Sequence, residues 1–126
     1  MVTQATPDTI TEAELVVFRA LQRLGLRPGV DFSFQSSQFG GRVDKGGLVV
    51  DFLFTDIPLA IGVNGIYFHY ELGSEPRARD RYAVVALAAQ GITLIFIDED
   101  DALQDADFFV REALQFVDHS RVTRGG

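Results

Sequence analysis

A three-layer α/β fold, with a small mixed sheet held between helices, is what this 126-residue sequence predicts. Three observations carry that expectation. A capped amphipathic helix opens the chain, and three short β-patterned segments with brief connections follow it. A second helical stretch then leads to a fourth strand and a last helix. Brief connections suit an antiparallel meander, whereas a helical crossover returns the chain parallel to a strand already laid down. The order α-β-β-β-α-β-α thus places helices on both faces of one mixed sheet.

Each element has its own signal. Thr11 with Glu14 three residues on forms a capping box, and Ile10 with Leu15 fits the hydrophobic staple around it. Leu15, Phe18, Leu21 and Leu24 recur at helical spacing, Gly25 ends the helix, and "RPG" at Arg27 to Gly29 turns the chain. From Val30 the period becomes two, with Phe32 and Phe34 alternating with Ser33 and Gln35. "GGRVDKGG" at Gly40 to Gly47 reads as a loop or loose hairpin turn. "LVVDFLF" at Leu48 to Phe54 and "LAIGVN" at Leu59 to Asn64 are nearly all apolar, as in strands buried on both faces. The second of these can run on toward Tyr67 beyond a kink at Gly65.

Polar residues from Glu71 to Asp80 lead into a helix over about 77–90, whose apolar face is Tyr82, Val85, Ala86 and Ala89, with Gly91 as its cap. "ITLIFI" at Ile92 to Ile97 is a buried strand, and acidic "DEDD" at Asp98 to Asp101 reads as a solvated turn favoured by a helix dipole. The last helix is expected over about 104–118, with Phe108, Phe109, Phe116 and Val117 on its apolar face and Glu112 breaking it. This gives one domain at 10–118, between a flexible lead-in at 1–9 and a polar, flexible tail at 119–126.

Composition narrows the function classes. Hydrophobic residues are 47% and charged residues 23%, the balance of an ordinary globular protein. Cysteine is absent, which excludes a disulfide framework, a thiol nucleophile and a cysteine zinc site. No apolar run is long enough to span a bilayer, and the N-terminus has neither the basic start nor the apolar block of a signal peptide. A cytoplasmic protein with no membrane partner is expected. The formal charge is −7, from 11 basic and 18 acidic residues, which opposes non-specific nucleic-acid binding. That acidity is concentrated in the flanks, because the span from Arg27 to Tyr82 carries six basic and seven acidic residues.

Within that span the chemistry-bearing residues are few. Asp51 is the lone acid in "LVVDFLF", and a buried carboxylate needs either a metal or a strong hydrogen-bond donor such as a backbone amide. His69 ends the aromatic stretch "GIYFH", as a core-edge residue or as a proton acceptor. Arg42 and Arg77, with Arg79 and Arg81, suit phosphate contacts as well as loop and helix-surface positions, and Lys45 is a loop cation. Neither a phosphate-binding P-loop nor a Ser-His-Asp nucleophile context is present.

Together, "GGRVDKGGLVVDFLF…LAIGVNGIYFH…DRYAVVALAAQGITLIFIDEDD" resembles the PD-(D/E)xK, or restriction-endonuclease-like, superfamily. The nearest branch is the very-short-patch repair endonucleases and their small phage and bacterial relatives. The resemblance covers about Thr11 to Leu103. It implies a Mg²⁺-dependent DNA phosphodiesterase in which Asp51 is a metal ligand. Gly62 and Asn64 stand where most of the superfamily has an acid and a lysine. The very-short-patch branch dispenses with that pair, which implies the Val63 backbone carbonyl as second ligand and His69 as the group that activates water. Asn64 replaces that branch's other histidine, and its amide can bond a phosphate oxygen but cannot exchange a proton near pH 7. Tyr67 and Phe68 occupy the place of an aromatic wedge between bases, or simply pack the sheet. Lys45 stands where some superfamily members recruit a replacement lysine. DNA is the partner implied. The alternative is an inactive endonuclease-fold module with protein partners in a larger assembly, for example a phage particle, which would place it in the virion.

Overall fold

The computed structural model describes residues 11–34, 43–45, 48–64 and 84–121, with the side chains of 43–45, 48, 49 and 64 left aside. Helix α1 spans Glu12–Arg23, β1 Phe32–Phe34, β2 Val43–Lys45, β3 Leu48–Val50, β4 Phe52–Phe54 and β5 Leu59–Asn64. Residues 84–88 are helical (α2), β6 spans Thr93–Asp98 and α3 Glu99–Leu114. The main sheet runs in the order β1-β4-β5-β6. β1 and β4 pair antiparallel, as do β4 and β5, whereas β6 lies parallel to β5. The fold class expected from the sequence is the one observed, a mixed α/β protein with a four-stranded mixed sheet flanked by helices.

Both glycine-ended helices close as their sequences predict. Gly25 and Gly91 have φ of 89° and 81°, a conformation that side chains with a Cβ rarely adopt. The capping box is also present, with the Glu14 amide donating to Thr11 Oγ1 at 3.1 Å and the Thr11 amide to Glu14 Oε1 at 3.0 Å.

Strand alternation divides the core between the two faces of the sheet. On one face, Phe32, Phe34, Phe52, Phe54, Leu59, Ile61, Ile95 and Ile97 meet α1 and α3. On the other, Val50, Ala60, Leu94 and Phe96 meet Leu87 of α2. An aromatic train ties α1 to the first two sheet strands. Phe18 lies 4.8 Å from Phe34, and Phe34 stacks on Phe52 at 4.6 Å, ring centre to ring centre.

Several local expectations need correction. Leu48 to Phe54 is two strands broken at Asp51, and the glycine-rich stretch before it contains β2, which pairs antiparallel with β3. Helix α3 begins at Glu99, so the acidic run forms its first turn and is not a solvated turn. Asp105 interrupts α3 with non-helical angles, and its Oδ1 accepts the Phe108 amide at 3.1 Å. A new helical start is thus capped next to the expected beginning at 104.

Two helix faces also differ from expectation. The buried residues of α3 are Ala102, Ala106, Val110 and Ala113, while Phe108, Phe116 and Val117 remain 38–43% exposed. Small alanines let the helix approach its neighbours closely; Phe109 packs against the core as expected, while Phe108 and Phe116 lie toward the rim. In α2 the inward residue is Leu87, and Val85 is 68% exposed. Helix α3 closes without glycine, through Phe116 at φ 66°, and the Val117 amide returns to the Glu112 carbonyl at 3.0 Å.

The segment after α3 lies along β6. The Phe96 amide donates to Asp118 Oδ2 at 2.9 Å, and the Arg121 amide donates to Asp98 Oδ2 at 3.0 Å. The first of these bonds occupies a backbone donor of a strand that is last in the sheet order.

Phe52 is fully buried between Phe32 and Phe34. Phe52→Ala is expected to lower the unfolding free energy by about 3–5 kcal/mol in denaturant titration, the range for deleting a buried aromatic.

Candidate metal centre

Asp51 sits in the break between β3 and β4, half-buried, immediately before the clasped Phe52. Phe52 pairs with Ile61 and Leu53 with Ala60, which brings the start of β4 against the end of β5. There the Asp51 Oδ2 atom accepts the Val63 amide at 2.7 Å. Of the two readings of Asp51, the backbone-amide partner is thus present, and it also orients the carboxylate. In an extended strand, a residue's own N–H and C=O project toward the same side. The Val63 carbonyl therefore faces the β4 side of the strand. Gly62 precedes it and pairs with Phe96, while Asn64 follows and pairs with Asp98.

The sheet therefore brings together two of the residues selected from the sequence, Asp51 and the Val63 main chain, while the backbone of Asn64 pairs with Asp98. Arg42, Tyr67, Phe68, His69 and Arg77 lie outside the described residues, as do the side chains of Lys45 and Asn64.

A second acidic group lies at the end of β6. Asp98, Asp100 and Asp101 each offer a carboxylate oxygen within 4.8 Å of the others. Asp98 is fully buried at the N-terminus of α3. Its Oδ2 accepts Arg121 Nη1 at 3.0 Å, and Asp100 Oδ2 accepts Arg121 Nη2 at 2.9 Å. A guanidinium thus already supplies positive charge to two of the three carboxylates. The α3 N-terminus favours the same negative charge through its dipole. The Arg121 side-chain hydrogen bond is the main reason that the Asp100 carboxyl lies below its ordinary value of 3.8. Nothing local in the sequence links Arg121 to these acids, since it lies 23 residues from Asp98. An acid run directly after a buried strand was the one available signal.

The group that Asp51 offers is a carboxylate beside the main chain of Val63. Hard oxygen donors of this kind fit Mg²⁺ or Mn²⁺, which retain several waters and accept few protein ligands.

The fold has a solved counterpart. The chain is similar to the catalytic domain of the homing endonuclease I-Bth0305I, with a TM-score of 0.62 and 21% identity over 85% of this chain and 94% of that one. At that identity, the likeness establishes an endonuclease-like fold. No protein-family model matches the chain, and no curated protein does. Among the described residues, no helix is long and apolar enough to cross a membrane.

The Asp100–Arg121 pair gives a pH signature. Because the folded-state pKa of Asp100 is depressed, its contribution is present above the unfolded value and is lost as pH falls through the folded one. The stability difference between wild type and Asp100→Asn, from urea unfolding across the acid range, should hold steady above about pH 5 and shrink below about pH 4.

Proposed function

We propose that this chain is a divalent-metal-dependent DNA endonuclease of very-short-patch type, acting through the centre built on Asp51. The observation that carries the reading is the 2.7 Å bond from the Val63 amide to Asp51 Oδ2, which holds the carboxylate beside the Val63 main chain. Support for DNA as substrate comes from the solved neighbour, which is itself a homing endonuclease catalytic domain. The weak net charge between Arg27 and Tyr82 leaves the span able to approach phosphate.

Each residue has a defined part in this reading. Asp51 and the Val63 carbonyl hold Mg²⁺ or Mn²⁺. When bound, such an ion neutralises charge on a phosphate oxygen and favours attack by water. His69 takes the proton from the attacking water, and a neutral imidazole suits that task near pH 7. The Asn64 amide donates to a phosphate oxygen. Arg42, Lys45 and Arg77 contact the backbone of the duplex, while Tyr67 and Phe68 present aromatic surface to bases.

A second reading keeps the fold without the reaction, as a module that binds protein partners. Gly62 in place of an acid and the net charge of −7 favour it. The two readings separate in one titration. Mn²⁺ binding by calorimetry and Mg²⁺-dependent plasmid nicking are expected for the wild type. Asp51→Ala should abolish both, and His69→Ala should remove nicking by about a hundredfold or more while preserving metal binding. Wild-type protein that neither binds nor nicks at millimolar metal sinks the enzyme reading.

A further inference from the structure

Gly62 occupies the position where an acidic ligand would stand, and the fold provides a reason for its lack of a side chain. A Cβ built on Gly62 meets Phe96 Cδ1 at 3.1 Å and Cε1 at 3.2 Å, with Leu94 Cδ1 at 3.9 Å. The first two contacts are tighter than ordinary van der Waals packing allows, so the ring would have to move by a few tenths of an ångström. It is poorly placed to do so. Phe96 is buried among Val50, Ala60, Leu87 and Leu94 on the α2 face of the sheet. Its backbone is pinned from the outer side by the bond to Asp118, and it is paired directly with Gly62 across β5 and β6. Close-packed interiors resist such displacement.

We propose that Phe96 sets the ligand count of the centre. Its ring fills the space that a side chain at 62 requires, so the strand pair can present Asp51 but not a second acid one residue before Val63. Resting on the reading of Asp51 as a metal ligand, this makes Phe96 a positioning residue that restricts the site to one strand carboxylate plus main-chain oxygen. Fewer charged ligands leave a bound cation more weakly held and with more of its own water. The missing acid is thus a consequence of packing, and replacing Gly62 alone does not restore it.

A double-mutant cycle tests this, with Phe96→Val removing the two ring atoms that obstruct position 62. Gly62→Ala should lower Tm by about 5 °C or more in the wild-type background and by less than about 2 °C in the Phe96→Val background. Calorimetry with Mn²⁺ should show no gain in affinity for Gly62→Asp alone. For Gly62→Asp/Phe96→Val it should show at least about tenfold tighter binding than for Phe96→Val. A Gly62→Asp protein that keeps its Tm and binds Mn²⁺ tenfold tighter with Phe96 intact overturns the proposal. So does a folded double variant with no gain, or an alanine cost equal in the two backgrounds. Wild type without Mn²⁺ affinity, beside a double variant that has it, upholds the role of Phe96 and removes Asp51 as a present-day ligand. Should the Asp-containing double variant fail to fold, the alanine arm of the cycle still decides.

Discussion

Phe52 packs between Phe32 and Phe34 on one face of the sheet, and its backbone pairs with Ile61 in the neighbouring strand. That single residue fixes the register between β4 and β5, and Asp51 is its immediate predecessor. A strand slip of one residue would exchange the two faces of β4 and place aromatic rings on the α2 side. The hydrophobic cost of such a slip holds the carboxylate against the Val63 amide. The core thus positions the candidate centre, without any separate device for doing so.

Two groups of carboxylates lie near the ends of the sheet strands, and their surroundings differ. Asp51 Oδ2 accepts the backbone amide of Val63, which orients the carboxylate. Asp98 and Asp100 are bound by the Arg121 guanidinium, which serves as a built-in counter-ion. A cation entering the second group would have to compete with that arrangement and with the fold of the chain after α3. Phe96 joins the two regions, with its ring against Gly62 and its amide on Asp118.

Local signals in the sequence were sufficient for the main elements. The capping box at Thr11, the glycine stops at Gly25 and Gly91, and the apolar runs of β5 and β6 each act over a few residues. They therefore appear in the sequence itself. Asp51 was legible for a similar reason, as a lone acid in an apolar run. What escaped depends on distant partners or weak periodicity. Alanine-rich faces in α3 give little hydrophobic contrast, so the larger Phe108 and Phe116 drew the expected face away from the true one. The start of α3 was hidden by acids that suit either a turn or a helix N-terminus. Arg121 reaches Asp98 across the whole of α3, and the ring of Phe96 meets Gly62 only once two strands are paired. No window of sequence contains those contacts.

The most direct test of the account is paramagnetic broadening of amide resonances by substoichiometric Mn²⁺. If the centre lies at Asp51, the amides of Phe52, Gly62 and Val63 should broaden first, while those of Asp100 and Asp101 persist. Initial loss of the Asp100 and Asp101 signals, with Val63 unaffected, would contradict the account and move the centre to the start of α3.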